Sequence, residues 1–113
     1  MHELSITQNM LEIVLDYARN NDANSVGKIN LVIGELTGYV ADSVQFYFDL
    51  LSKGTLAEGA VLNFTSVPAR GKCRACGASF ELKEFDWLCP DCQSKEVDIV
   101  AGRELFVESI EVE

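Results

Sequence analysis

Apolar residues recur at helical spacing near the start of the chain: Ile6, Met10, Leu11, Val14, Leu15 and Ala18 fall on one face. The spacing predicts a helix over residues 6–19. Ser5-Ile6-Thr7-Gln8 has the form of a capping box, with Ser5 accepting from the Gln8 amide and the Gln8 side chain reaching back. The turn formers of residues 20–24 end the helix. The pattern then changes to alternation. Over 28–36, Ile29, Leu31 and Ile33 point one way and Val32 and Leu36 the other, which predicts a strand. Gly34 and Gly38 mark a bend. Asp42-Ser43-Val44-Gln45 predicts the start of a second helix, with Val44, Tyr47, Phe48 and Leu51 as its apolar face and Gly54 at its C-terminal cap. The run Phe46-Tyr47-Phe48 is read as core packing. Leu62 and Phe64 alternate against Asn63 and Thr65 in a second strand over 61–67, which Pro68 closes, and residues 104–112 alternate again.

That last strand decides the architecture. Between the second and third strands lie four cysteines in a segment too short to supply a sheet partner, so the third strand returns to the N-terminal sheet. The expected fold is α+β: a small mixed three-stranded sheet with two helices, plus an inserted zinc-ribbon-like module. Residues 1–70 and 101–113 form the discontinuous α+β domain, and 71–100 form the inserted four-cysteine domain.

The length of 113 residues suits one compact domain with a metal-stapled module. No apolar run approaches the roughly 20 residues that span a bilayer. The N-terminus shows neither a basic n-region nor an apolar h-region, so a cytoplasmic protein is expected. The formal net charge of −9 makes a poor surface for nucleic acid. Arg70, Lys72 and Arg74 cluster beside the first cysteine pair and are read as offsetting thiolate charge.

Cys73-x-x-Cys76 and Cys89-x-x-Cys92 account for all the cysteines, with twelve residues between the pairs. This spacing suits a tetrahedral four-thiolate site with each pair on one tight turn. Gly77 follows the first pair where a positive φ is often required. The turn at Cys89-Pro90-Asp91-Cys92 resembles those of rubredoxin-like iron sites, so spacing alone does not choose the metal. Structural zinc is favoured because closed four-thiolate sites of ribbon form mostly hold it. Phe80, Phe85 and Trp87 lie between the pairs and are assigned to the module's small core.

His2 is the single histidine. A lone histidine usually has no role, but here position matters. Met1 should be retained, because imidazole is too large for the removing aminopeptidase. The free amine, the His2 amide nitrogen and the imidazole can then close adjacent chelate rings. Such nitrogen sets favour the planar geometry of Ni(II) and Cu(II). Backbone amides must lose protons to join, so binding should strengthen with pH.

Met-His-Glu-Leu-Ser-Ile at the start, Val-Ile-Gly-Glu-Leu in the first strand, Gly-Thr-Leu-Ala-Glu-Gly-Ala-Val-Leu and the paired Cys-x-x-Cys turns together resemble the HypA family of nickel metallochaperones. The resemblance covers essentially the whole chain. It implies delivery of nickel for [NiFe]-hydrogenase maturation, and in some members for urease. It implies nickel bound by His2, the Met1 amine and the backbone nitrogens of His2 and Glu3. Glu3, as the family's acidic third residue, would orient the site or tune transfer. It implies zinc on Cys73, Cys76, Cys89 and Cys92, an α+β nickel-binding domain with the zinc domain inserted, and action with a HypB-type GTPase and the hydrogenase large subunit precursor. A monomer or homodimer fits this role. Some relatives carry histidines beside the cysteine turns; this chain has none there, so histidine-mediated pH sensing at zinc is not expected.

Two other classes compete. A zinc-ribbon interaction module would leave His2 incidental, and its nucleic-acid form would need a basic face. A rubredoxin-like carrier would be red and iron-loaded. No second histidine, phosphate loop or nucleophile–base pair argues for an enzyme.

Overall fold

The computed structural model describes residues 2–82 and 88–113. In chain order it contains α1 (His2–Asn20), β1 (Val26–Gly34), a short 3-10 turn (Glu35–Thr37), α2 (Ala41–Leu51), β2 (Val61–Val67), β3 (Arg70–Cys73), β4 (Ser79–Glu81), β5 (Val97–Ala101) and β6 (Leu105–Val112). The strands form two three-stranded sheets, ordered β2-β1-β6 and β4-β3-β5. As expected, the strand after the cysteines returns to β1, and the first sheet is mixed. β6 runs antiparallel to β1: Ser25 and Glu113 pair at one end, and the Gly34 N–H donates to the Glu104 carbonyl (2.7 Å) at the other.

By its internal contacts the chain divides into two compact units, residues 1–32 with 38–65 and 106–113, and residues 33–37 with 66–105. In the first unit the apolar stripe of α1 (Met10, Leu11, Val14, Leu15 and Ala18) closes on Val26, Ile29 and Leu31 of β1, Leu62 of β2, and Val44 and Phe48 of α2. Phe48, Ile29 and Val14 are fully buried, each contributing about 1.5–3 kcal/mol over the exposed state. Asn63 donates to Asn30 (3.0 Å) and Asn30 to Ser109 (2.9 Å), a polar ladder across all three strands.

Three expectations require correction. The capping box does not start α1, because Ser5 already lies within a helix that opens at His2. The buried Thr7 hydroxyl donates instead to the Glu3 carbonyl four residues back, a bond that exists only where the helix is already wound. α2 begins one residue ahead of Asp42, with Val40 at its N-cap and no side-chain cap. Phe46 is 60% exposed and stands edge-on to Tyr47, whereas Phe48 alone of that aromatic run is fully buried. Helical spacing of about 100° per residue sends two adjacent side chains to different faces, so a run of three cannot all enter one core.

In the second unit β3 is the central strand, antiparallel to β4 and β5, with a register irregularity at Arg70/Gly71. Leu82 is buried and Phe80 half-buried; the expectation for Phe85 and Trp87 falls outside the described residues. The strand ends beside the cysteine module are drawn tightly together. The Leu36 N–H donates to the Gly102 carbonyl (2.7 Å), and the Glu35 carboxylate accepts from the Ala69 N–H (3.1 Å). A Cβ on Gly34 would lie 2.2 Å from the Gly102 carbonyl carbon and oxygen.

This contact is backbone against backbone and cannot relax by a rotamer change. Gly34→Ala is expected to destabilise the protein by about 1–3 kcal/mol. Gly27→Ala, whose nearest neighbour would be the Glu111 carbonyl at 3.9 Å, should stay within about 0.5 kcal/mol. Denaturant unfolding of the two variants checks the contrast.

Candidate metal centre

The two Cys-x-x-Cys turns repeat one hydrogen-bond pattern. In the first, the Gly77 N–H donates to the Cys73 carbonyl (2.8 Å) and the Cys73 N–H to the Ala78 carbonyl (2.9 Å). In the second, the Gln93 N–H donates to the Cys89 carbonyl (2.8 Å) and the Cys89 N–H to the Ser94 carbonyl (3.0 Å). The residue after each second cysteine takes a left-handed conformation, φ +79° at Gly77 and +64° at Gln93. Glycine adopts this without strain, while glutamine does so at a cost of about 1–2 kcal/mol. Reading the second pair as a copy of the first would have flagged Gln93; residue preference alone hid it.

The turns bring all four sulfurs within 4.8 Å of one another. Cys73 and Cys92 Sγ are 3.6 Å apart, and Cys76 and Cys89 Sγ 3.5 Å, so each close pair takes one sulfur from each turn. A tetrahedral zinc ion with Zn–S bonds of about 2.3 Å requires sulfurs about 3.8 Å apart. The donor set and spacing fit zinc. Cys73 and Cys89 are buried, Cys76 and Cys92 exposed. Arg74 of the basic cluster donates to Asp98 on β5 (3.3 Å).

The electrostatics of the cluster follow from crowding four acids around one point. The Cys73 thiol is lowered to about 7, first by the Cys76 N–H and then, against burial, by the Ala75 N–H and the neighbouring sulfurs. Cys92 moves the other way. The Ser94 N–H lowers it, but Cys73, burial, Cys89 and Cys76 outweigh that and push it up to about 12. Cys76 is also raised, the Ala78 N–H being outweighed by Cys89, burial and Cys73. One thiolate forms readily and holds protons on its neighbours; a cation removes that conflict.

The N-terminal candidates belong to the other compact unit. Met1 and the His2 side chain lie outside what is described. His2 and Glu3 open α1. The Glu3 carboxylate accepts from the Val40 N–H (3.3 Å), at the N-cap of α2. Its own backbone N–H and then that of Val40 hold it below the usual carboxylate range. Glu3 therefore stays ionised to lower pH than an ordinary glutamate, and its grip on Val40 is lost as pH falls through that lowered value. Nothing in the sequence pointed to Val40, because the bond is made by its backbone.

Two helices on a mixed sheet, joined to a four-cysteine unit suited to zinc, define a small metal-binding α+β protein. The family described as "Hydrogenase/urease nickel incorporation, metallochaperone, hypA" matches residues 1–112. A hydrogenase maturation factor HypA from Dehalococcoides mccartyi (strain CBDB1) is 47% identical over 113 residues, covering 100% of this chain and 95% of its own length. One from Caldanaerobacter subterraneus is 46% identical, with 100% of both chains covered. Among solved structures, the nickel metallochaperone HypA from Helicobacter pylori aligns with a TM-score of 0.69 at 23% identity, covering 97% of this chain and 96% of its own. A second HypA solution structure gives 0.75 at 23% identity, covering 99% and 96%. The chain belongs to the HypA family, and its fold is that of the family's solved structures.

Two outcomes test the centre. Zinc must displace protons from Cys76 and Cys92 and, below about pH 7, from Cys73 as well, so apparent affinity should fall at least about a thousandfold per unit as pH drops below neutrality; competition with a chromogenic chelator reads this. Gly77→Ala forces a Cβ into the left-handed conformation and should weaken zinc about tenfold, whereas Gln93→Gly should hold zinc as well as the parent or better.

Proposed function

We propose that this protein is a nickel carrier for [NiFe]-hydrogenase maturation. Ni(II) is bound by the Met1 amine, the His2 imidazole and the backbone nitrogens of His2 and Glu3, while Cys73, Cys76, Cys89 and Cys92 hold a structural zinc. Residues 1–70 with 101–113 serve as the nickel-binding domain and 71–100 as the inserted zinc domain. The observation that carries this reading is that α1 opens at His2 in a chain of the HypA family. The first amide N–H groups of a helix have no carbonyl four residues back to receive them. In the helical ladder these nitrogens have no acceptor; the Glu3 N–H is held by its own carboxylate, which nickel must displace along with the proton. The positive end of the helix dipole opposes a bare cation there. Deprotonated amides reverse that sign, so binding selects an ion able to displace amide protons and strengthens with pH.

Glu3 enters through its backbone nitrogen; its carboxylate, held on Val40, positions the first turn. The site is terminal, so its backbone ligands can be reprotonated one at a time, which suits a carrier that must release its cargo. Delivery passes through a HypB-type GTPase to the hydrogenase large subunit precursor in the cytoplasm, with urease as a further recipient. The protein acts as a monomer or homodimer and performs no catalytic turnover. No helix among the described residues is long and apolar enough to cross a membrane.

Nickel titration of zinc-loaded protein with an authentic N-terminus should give one equivalent and a planar-type visible spectrum. His2→Ala, or a Gly-Ser extension ahead of Met1, should remove it with far-ultraviolet circular dichroism unchanged. Stoichiometric nickel in His2→Ala would sink the N-terminal site and leave a zinc-ribbon interaction module.

A further inference from the structure

Within the first unit, α1 and β6 border a groove of about 450 Å³. Its apolar lining includes Ile13, Val14 and Tyr17 from the helix and Val107, Ile110 and Val112 from the strand. Ile13 and Tyr17 are 54% and 64% exposed, so the apolar surface opens to solvent. Among the described residues β6 is an edge strand, paired with β1 on one side. Its other side presents the backbone N–H and C=O groups that an added strand would pair. The groove therefore offers a backbone edge beside an apolar trough, the two elements of strand-addition recognition.

Charge selects the occupant. β6 and the residue after it carry Glu108, Glu111 and Glu113 and no lysine or arginine. Glu111 is answered by Lys28 of β1 (3.7 Å), while Glu108 lines the groove with no ion-pair partner among the described residues. Pairing of β6 with a second β6 would set glutamates against glutamates between chains of net charge −9, which disfavours a second copy. We propose that the α1–β6 groove is a docking site for an extended segment of a partner protein with alternating apolar and basic residues, added antiparallel or parallel to β6 as a fourth strand. The site involves neither the cysteines nor the N-terminal tripeptide, so its failure would leave the nickel reading intact.

The test uses the full zinc-loaded chain titrated with a short blocked peptide alternating lysine and valine, beside the same peptide with glutamate for lysine. Amide protons of residues 107–112 should gain exchange protection and the Ile13 and Tyr17 resonances should shift. The glutamate peptide should bind at least about tenfold more weakly. Ile13→Lys with Tyr17→Lys, and separately Glu108→Lys, should lower affinity for the lysine peptide by about tenfold or more, whereas Phe46→Lys on the exposed face of α2 should not. Several results overturn the proposal: no protection of β6, equal binding of the two peptides, groove shifts without β6 protection as from a helical occupant, or peptide-free dimerisation through β6.

Discussion

Four sulfurs held within 4.8 Å cannot all ionise in the absence of a cation. The ionisation of Cys73 near neutrality and the suppression of Cys92 express that conflict directly. The second unit depends on its resolution. Beyond the cysteines, its buried apolar side chains are few, Ile33, Ala69 and Leu82 among the described residues, and β4 is only three residues long. A sheet of that size has too little apolar area to hold itself together in water. A metal ion joining the ends of the two turns would substitute for the missing core and would make metal binding and folding one event there.

The first unit is built on a different principle. A continuous apolar stripe on α1 closes over the mixed sheet and Phe48, with no need of a metal. The start of α1 lies outside this buried stripe. Its first amides stand outside the helical ladder, and Glu3 ties the first turn to the N-cap of α2. One chain thus carries two metal regimes: a closed thiolate cage that secures structure, and an open nitrogen terminus proposed to hold a cargo ion. The hard separation is chemical. Soft thiolates in a tetrahedron suit zinc, whereas consecutive backbone nitrogens suit an ion that favours planar coordination.

Much of this was legible in one dimension. The stripe from Ile6 to Ala18 and the alternation of Leu62 and Phe64 against Asn63 and Thr65 report burial through period alone, and both match the structure. The return of the last strand to β1 followed from counting what the cysteine segment could not supply. The errors share one cause. At Ser5, Asp42 and Phe46 local residue preference points to caps and burial, while the helix starts and the burial are set by packing and by bonds to the backbone of Glu3 and Val40.

The sequence by itself determined the α+β class, the four-sulfur site and the family, because periodicity, paired Cys-x-x-Cys spacing and the opening tripeptide are local signals. Only the tertiary structure decided that Gln93 repeats the left-handed conformation of Gly77, that Glu3 grips Val40, that Gly34 lies against Gly102, and that β6 remains an open edge, among the described residues, beside Ile13 and Tyr17. Each of these joins residues distant in the chain or depends on a backbone angle. Neither is encoded in the order of apolar and polar positions, since backbone N–H and C=O groups are the same in every residue and acquire partners only when the chain has folded.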